Sequence, residues 1–167
     1  MKRRTESILA IDPGLRDLGF AVLKGSKIIT AGVRQLRLFP PERRSAEARS
    51  LVRNWLVAHR PNALVLERTY RHPVPWLNEL HRVTRAVGVL AERAGLSVAT
   101  YAPQTVRKTL TGNGWATKDD VATALGFRYP ALRVYLTQDR KWKVRYWQNM
   151  FDAVALAIHH ATLKPPS

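Results

Sequence analysis

Short apolar runs open this chain and predict three strands in succession. Residues 8–11, 18–23 and 27–33 are each dominated by aliphatic side chains, and glycine-containing turns separate them. Runs of this length between turn residues are typical of buried strands. Because the connections are short, the three strands are predicted to form an antiparallel meander.

Two further apolar runs, residues 63–67 and 96–101, predict a fourth and a fifth strand later in the chain. Each of them follows a stretch with helical spacing. From this order of strands and helices we expect an α/β fold with a mixed five-stranded sheet flanked by helices.

Helical periodicity accounts for most of the remaining chain. The clearest example is residues 76–94, where apolar side chains recur at intervals of three and four almost as regularly as in a coiled-coil seam, before Gly95 ends the helix. That seam is predicted to be ordinary core or a surface for a second subunit. The other predicted helices surround residues 51–56, open at Pro103, open after Thr117 and cover about 145–163.

Two of the predicted strands end in an acidic residue. Asp12 closes the first run immediately before a Pro-Gly turn, and Glu67 closes the fourth. If these strands are neighbours, both carboxylates lie at one edge of the sheet. The alternatives are structural: Asp12 caps its turn, and Glu67 pairs with Arg68 or Arg71.

A third acid, Asp152, lies among apolar residues in the last predicted helix, with Asn149 one turn earlier on the same face. A buried acid needs a cation or a hydrogen-bond donor. Carboxylates on two strands and one helix suit two divalent cations such as Mg²⁺, which serve phosphoryl chemistry. Together with Asp12 and Glu67, Asp152 is therefore a candidate metal ligand.

Other acidic and imidazole side chains are interpreted as structural. Thr117 and Asp120 have the spacing of a capping box, so Asp119 and Asp120 are predicted to be helix-start charges. His159 and His160 are predicted to end the last helix favourably, and not to bind a metal.

The charge balance points to a polyanionic partner. The chain has 28 Lys and Arg against 12 Asp and Glu, a formal net charge of +16 over 167 residues. Nucleic acid is the first candidate and an anionic membrane surface the second. The absence of cysteine excludes disulfides and thiolate metal sites. With no apolar run long enough to span a bilayer, we expect a cytoplasmic protein of one domain, residues 1–167.

Basic and aromatic residues follow the predicted acids in loops and at helix ends. Tyr70, in the proline-rich loop after Glu67, suits base stacking, and packing on a neighbouring helix is the alternative. Lys118 stands at a helix N-terminus beside a glycine turn, where phosphate binding is favoured. The candidate DNA-binding residues are Arg68, Tyr70, Arg71, Arg107, Lys108, Lys118, Lys141 and Lys143.

Four phrases together resemble the RuvC family of Holliday-junction resolvases, which have the ribonuclease-H-like fold. They are IDPGLRDLGFAV at the first acid, LVLERTY at the second, TYAPQTVRKTLTGNGWATKDDV in the middle and DAVALAIHHA at the third. The resemblance covers nearly the whole chain. It implies a nuclease that resolves four-way DNA junctions by paired symmetric nicks in recombination and repair.

The resemblance also implies roles for individual residues. Asp12, Glu67 and Asp152 match the metal-binding catalytic acids, and Tyr70 matches an aromatic residue that engages bases at the junction centre. Lys118 matches a catalytic lysine near the scissile phosphate, while Arg107 stands where another basic residue is usual. Many members carry Asp or His where this chain has Asn149, which is expected to ligate the metal without charge.

The implied cofactor is Mg²⁺, with Mn²⁺ able to substitute and two ions per site. The implied partners are four-way junction DNA, a second copy of the chain through the 76–94 helix, and branch-migration proteins, with no membrane. The alternatives are a same-fold nuclease acting on other branched DNA or structured RNA, and a junction-binding protein with weakened catalysis. A sugar-kinase-like ATPase would need a longer chain and a second phosphate loop.

Overall fold

A mixed five-stranded sheet forms the centre of the structure. The structure is a computed structural model that describes residues 6–37, 40, 43–137 and 141–163; at residues 76, 77 and 141–145 it describes the backbone only. The strand order is β3-β2-β1-β4-β5, with β1 to β3 antiparallel and β4 and β5 parallel to β1. The predicted α/β sheet is therefore confirmed. The strands are β1 (Ser7–Pro13), β2 (Asp17–Lys24), β3 (Lys27–Gln35), β4 (Ala63–Glu67) and β5 (Ser97–Tyr101).

Helices cover both faces of the sheet. One face carries α1 and α2, and the other carries α6 with α3 and α4 beside it. The helices are α1 (Arg44–His59), α2 (Glu79–Arg93), α3 (Pro103–Thr111), α4 (Lys118–Arg128), α5 (Arg133–Leu136) and α6 (Lys141–Leu163). Burial on both faces explains why the central strands are apolar at consecutive positions and do not alternate with polar ones.

Alternation along the strands decides which face each acid takes. In β1, Ile8 and Ala10 pack into the core beneath α6, whereas Leu9 and Ile11 pack against α1 and α2. Successive side chains point to opposite faces of a sheet, so Asp12 belongs to the α6 face. The same argument in β4 places Glu67 on that face, because Val65 packs beneath α6.

The 76–94 helix differs from its prediction at its start, while the prediction that its seam is ordinary core is confirmed for the buried positions. It begins as a 3₁₀ turn, Pro75–Asn78, and becomes α-helical only from Glu79. Its apolar seam is largely consumed by the chain's own core, since Val83, Val87 and Ala91 are buried against the sheet with α1. A single sequence reveals an apolar stripe but not what covers it.

The last helix is longer than predicted, starting at Lys141, and its histidines do more than end it. The predicted position at the helix end is confirmed for His160, which lies in the last turn of α6, and both rings are in addition buried. His159 Nδ1 lies 2.7 Å from Thr109 Oγ1, and His160 Nδ1 lies 2.6 Å from the Tyr101 hydroxyl. The pair thus connects α6 to α3 and β5.

No helix in the described part of the chain is long and apolar enough to cross a membrane.

Candidate active site

Three carboxylates from distant parts of the chain meet at one edge of the sheet. Asp12 lies in β1 directly after Ile11, the last β1 residue that pairs with β4, and Glu67 is the last residue of β4. Asp152 comes from α6, which packs on both strands. Asp12 is only 6% exposed, while Glu67 and Asp152 are half-buried. Parallel neighbours place their carboxyl ends together, which explains the convergence of the first two acids.

The carboxylates repel one another. Burial, followed by the charges of Asp152 and Glu67, raises the pKa of Asp12 well above its ordinary value, and only Lys118 opposes this. Burial and then Asp152 raise the pKa of Glu67, against the charges of Lys118 and Arg107. Negative charge that is confined without full compensation is the condition that an added cation relieves.

Asp152 is held by two partners. Lys118 Nζ lies 2.8 Å from Asp152 Oδ2, and Gln148 Nε2 donates to Oδ1 at 3.1 Å. Burial lowers the pKa of Lys118, but the charge and hydrogen bond of Asp152 and the charges of Asp12 and Glu67 raise it, and the net result is a raised pKa. Lys118 therefore directs its ammonium into the acid cluster from the first turn of α4. Gln148 was not singled out from the sequence, although its position one turn before Asp152 is a usable signal.

The donor set fits a divalent cation in chemistry. Hard cations prefer carboxylate and amide oxygens, and here three carboxylates affect one another's pKa with too little positive charge beside them. Within the described residues, no three Asp, Glu, His or Cys side chains stand close enough to hold an ion as arranged. Both oxygens of Asp152 are engaged by Lys118 and Gln148, so this acid would have to exchange a partner for a metal ion.

Asn149 lies on α6 one turn before Asp152 but faces the β1–β2 turn. Its Nδ2 donates to the Asp17 carbonyl oxygen at 3.4 Å and packs over Gly14, where a Cβ would approach Nδ2 to 2.6 Å. This hydrogen bond uses the amide nitrogen of Asn149, whereas a hard cation would be bound by the amide oxygen. Its role as a metal ligand stays a prediction.

The predicted basic residues divide into two groups around the acids. Arg107 and Lys118 line a small cleft of about 50 Å³ together with Glu67 and Asp152. The other predicted residues with described side chains are exposed and do not line that cleft: Arg68 and Tyr70 follow β4, Arg71 lines a separate pocket, and Lys108 lies on α3. The side chains of Lys141 and Lys143 lie outside the described residues.

A basic groove that sequence reasoning missed lies on the opposite face of the sheet, between α1 and α2. It has a volume of about 400 Å³ and is lined mainly by arginines, with Ala86, Val89 and Leu90 between them. Helical periodicity alone could not show that two helices bring these arginines together. They are Arg49, Arg53, Arg82, Arg85 and Arg93.

The structural alternative for Glu67 does not hold. Within the described chain, no ion pair joins Glu67 to Arg68 or Arg71. The interpretation of Asp120 as a helix-start charge is confirmed, since its carboxylate accepts from the Thr117 backbone at 2.8 Å and completes a capping box.

Comparison with known sequences identifies one family. The family model described as crossover junction endodeoxyribonuclease RuvC matches residues 8–160. A protein of that name from Azorhizobium caulinodans is 31% identical over 166 residues, covering 96% of this chain and 92% of the relative. Another from Mycobacterium leprae is 29% identical over 165 residues, covering 95% and 82%.

Solved structures give the same result for the fold. The Thermus thermophilus RuvC structure is 26% identical and superposes with a TM-score of 0.68, covering 93% of each chain. The same protein in complex with a Holliday junction substrate superposes with a TM-score of 0.70 at 24% identity, over 93% of this chain and 92% of that one. The predicted ribonuclease-H-like fold is thereby confirmed.

Proposed function

The chain belongs to the RuvC family of crossover junction endodeoxyribonucleases, and on that premise we propose how its residues resolve four-way DNA junctions by paired nicks in recombination and repair. The observation that carries the proposal is the convergence of Asp12, Glu67 and Asp152 at one sheet edge, beside the ammonium of Lys118. We take residues 1–167 as one nuclease domain, because a single sheet with both faces covered accounts for its core.

The three carboxylates are the proposed metal ligands, with the Asn149 amide oxygen as a fourth donor. Mg²⁺ suits this oxygen set, Mn²⁺ can replace it, and two ions per site are proposed. Bound there, the metal supplies an activated water and stabilises the leaving oxygen. Burial of Asp12 restricts solvent access around that chemistry, which strengthens the electrostatic interactions.

Lys118 is proposed to act at the scissile phosphate. Its side chain is 53% exposed, so the ammonium that meets Asp152 can also reach an incoming phosphate oxygen. Lys118 then both positions Asp152 and neutralises charge on the phosphate. Arg107 lines the same cleft and adds a second positive charge next to Glu67.

The surrounding basic residues are proposed to bind the DNA backbone, where each phosphate contact strengthens binding and its dependence on salt. Tyr70 is 69% exposed in the loop after β4, which supports stacking on a base at the junction centre and not the packing alternative. The proposed backbone contacts are Arg68, Arg71, Arg107, Lys108, Lys118, Lys141 and Lys143.

A homodimer is proposed because a four-way junction has two-fold symmetry and needs two equivalent cuts. With Val83, Val87 and Ala91 used by the core, the outward face of the 76–94 helix offers Ala86 and Val89 between arginines. Two copies meeting there would bring like charges together, so bound phosphates would have to help hold the pair. We also propose action in the cytoplasm, alongside branch-migration proteins.

The test is cleavage of a synthetic four-way junction beside a linear duplex of the same sequence, with Mg²⁺, with Mn²⁺ and with chelator. We expect paired symmetric nicks on the junction alone, and none with chelator. Forked DNA and a structured RNA serve as competing substrates. Preferential cutting of either would replace the junction assignment, and tight junction binding without cutting would favour a non-catalytic clamp.

Asn149→Asp is expected to lower the Mg²⁺ concentration for half-maximal cleavage several-fold, because a charged ligand binds a hard cation more tightly than an amide does. The measurement is the initial cleavage rate across a Mg²⁺ titration. Asn149→Ala is the matched control and should raise the Mg²⁺ requirement. A large loss for Asn149→Asp at saturating Mg²⁺ would mean that the donation to the Asp17 carbonyl matters more than ligation.

A further inference from the structure

Trp115 is a large aromatic side chain exposed on an ordered turn. The turn joins α3 to α4, and the indole is 82% exposed. Within the described residues, no ring stacking or cation–π contact involves it. An exposed tryptophan leaves a large apolar area in water, and aromatic side chains of this kind are enriched at binding surfaces.

The backbone around Trp115 is fixed on both sides. Asn113 Oδ1 accepts from the Trp115 amide at 2.9 Å, and Thr111 Oγ1 accepts from the Asn113 amide at 3.2 Å. Gly112 supplies the left-handed conformation at φ 77° that ends α3. Ala116, the next residue, is buried. The indole is thus presented by a turn that has little freedom of its own.

This turn leads directly to the acid cleft. Lys118 lies three positions after Trp115, so their Cα atoms are at most about 11 Å apart, and Lys118 contacts Asp152. Tyr70 has the same relation to Glu67, three residues after it, and is also exposed. Each of these two exposed aromatic residues is therefore three positions in sequence from a residue that lines the cleft.

We propose that Trp115 stacks on a nucleobase of the DNA strand whose phosphate enters the cleft beside Lys118. The inference rests on the proposed function, which supplies that strand. Every base presents a π-face, and bases at a branch point lose a stacking neighbour, so an indole there finds a partner. Trp115 is a positioning residue in this proposal: it fixes the strand, while Lys118 and the carboxylates face the phosphate.

The first test compares junction cleavage by the wild-type protein with that by Trp115→Ala and Trp115→Phe. Base–aromatic stacking predicts a fall in kcat/KM of about 5-fold to about 150-fold for Trp115→Ala, with substantial rescue by Trp115→Phe. The loss should lie mainly in kcat, because phosphate contacts made elsewhere dominate junction affinity. Thermal midpoints should match the wild type, since the removed side chain is exposed.

Phe127 is the matched control. It is 83% exposed on the same helix as Lys118 but nine residues further along it, which is about 13 Å of helix. Phe127→Ala should leave kcat/KM within about 2-fold of the wild type. An unaltered rate for Trp115→Ala, an equal loss for Phe127→Ala, or no rescue by Trp115→Phe would overturn the proposal.

The second test does not depend on cleavage. Asp12→Asn protein is bound to junctions that carry 2-aminopurine in turn at each branch-point nucleotide, because the emission of this base reports stacking. At one or more positions, the emission of 2-aminopurine should change when the Asp12→Asn protein binds. The change should be absent with the double variant Asp12→Asn, Trp115→Ala and present with the double variant Asp12→Asn, Phe127→Ala. If no position depends on Trp115, stacking is refuted. If the emission change depends on Trp115 but the wild-type protein does not cut the junction, the stacking proposal stands and only the nuclease function is refuted.

Discussion

We expect Asp12→Asn to lower junction cleavage by roughly 1,000-fold while junction affinity stays near the wild-type value. Removing a metal ligand forfeits several kcal/mol of transition-state stabilisation, and tenfold in rate corresponds to about 1.4 kcal/mol. The basic residues proposed to bind the backbone are unchanged, and Asp12 itself is buried. Single-turnover cleavage and a binding titration in chelator measure the two quantities separately.

The same substitution should stabilise the metal-free protein. Because the pKa of Asp12 is raised above its ordinary 3.8 by burial, Asp152 and Glu67, its ionised form is disfavoured in the folded chain. The folded protein therefore loses stability as pH rises from 3.8 through the raised pKa. Asn at position 12 does not ionise, so the Asp12→Asn protein does not undergo this loss. At neutral pH in chelator, the thermal midpoint of Asp12→Asn should exceed that of the wild type, and added Mg²⁺ should narrow or reverse the difference.

Asp119→Asn is the control for Asp12→Asn. It makes the same chemical change at an exposed acid in the first turn of α4. Cleavage and the thermal response to Mg²⁺ should both stay near wild type. If Asp12→Asn cut normally, or gained as much stability from Mg²⁺ as the wild type, Asp12 would not be a metal ligand.

Gly19→Ala is expected to destabilise the fold by about 3–5 kcal/mol, through overpacking that side-chain rotation cannot relieve. A Cβ at this position in β2 would lie 1.9 Å from the carbonyl oxygen of Asn149 and 2.1 Å from its carbonyl carbon. Both atoms are α6 backbone, so the strand or the helix must shift. Denaturant unfolding at constant pH measures the change.

The consequence extends to the active site, because α6 also carries Asp152. Any Gly19→Ala protein that folds should cut poorly, since a shift of the helix moves Asp152 relative to Asp12. Gly88→Ala is the control: the Cβ added in α2 would meet Leu66 Cδ1 of β4 at 3.6 Å, which is an ordinary van der Waals contact. That variant should be neutral or up to about 1 kcal/mol more stable, because Ala favours a helix more than Gly does. Equal stabilities for the two variants would contradict the close packing at Gly19.

Much of the architecture was determined by local pattern. Runs such as residues 8–11 are apolar at consecutive positions, which occurs when both faces of a strand are covered, and the sheet confirms this. The Pro-Gly turn after Asp12 and the capping spacing from Thr117 to Asp120 depend on neighbours in sequence, so one chain suffices to predict them. The positions of Asp12 and Glu67 at strand ends were predictable for the same reason.

Tertiary structure alone decided what each apolar face meets and which charges become neighbours. Periodicity marked the seam of residues 76–94, but only packing revealed that Val83, Val87 and Ala91 belong to the chain's own core. Lys118 reaches Asp152 across 34 positions, a contact set by how α4 and α6 pack. Spacing along the chain determines which face of its own strand or helix a side chain takes. The residue that this side chain contacts depends on how whole strands and helices are placed relative to one another, and no local pattern encodes that placement.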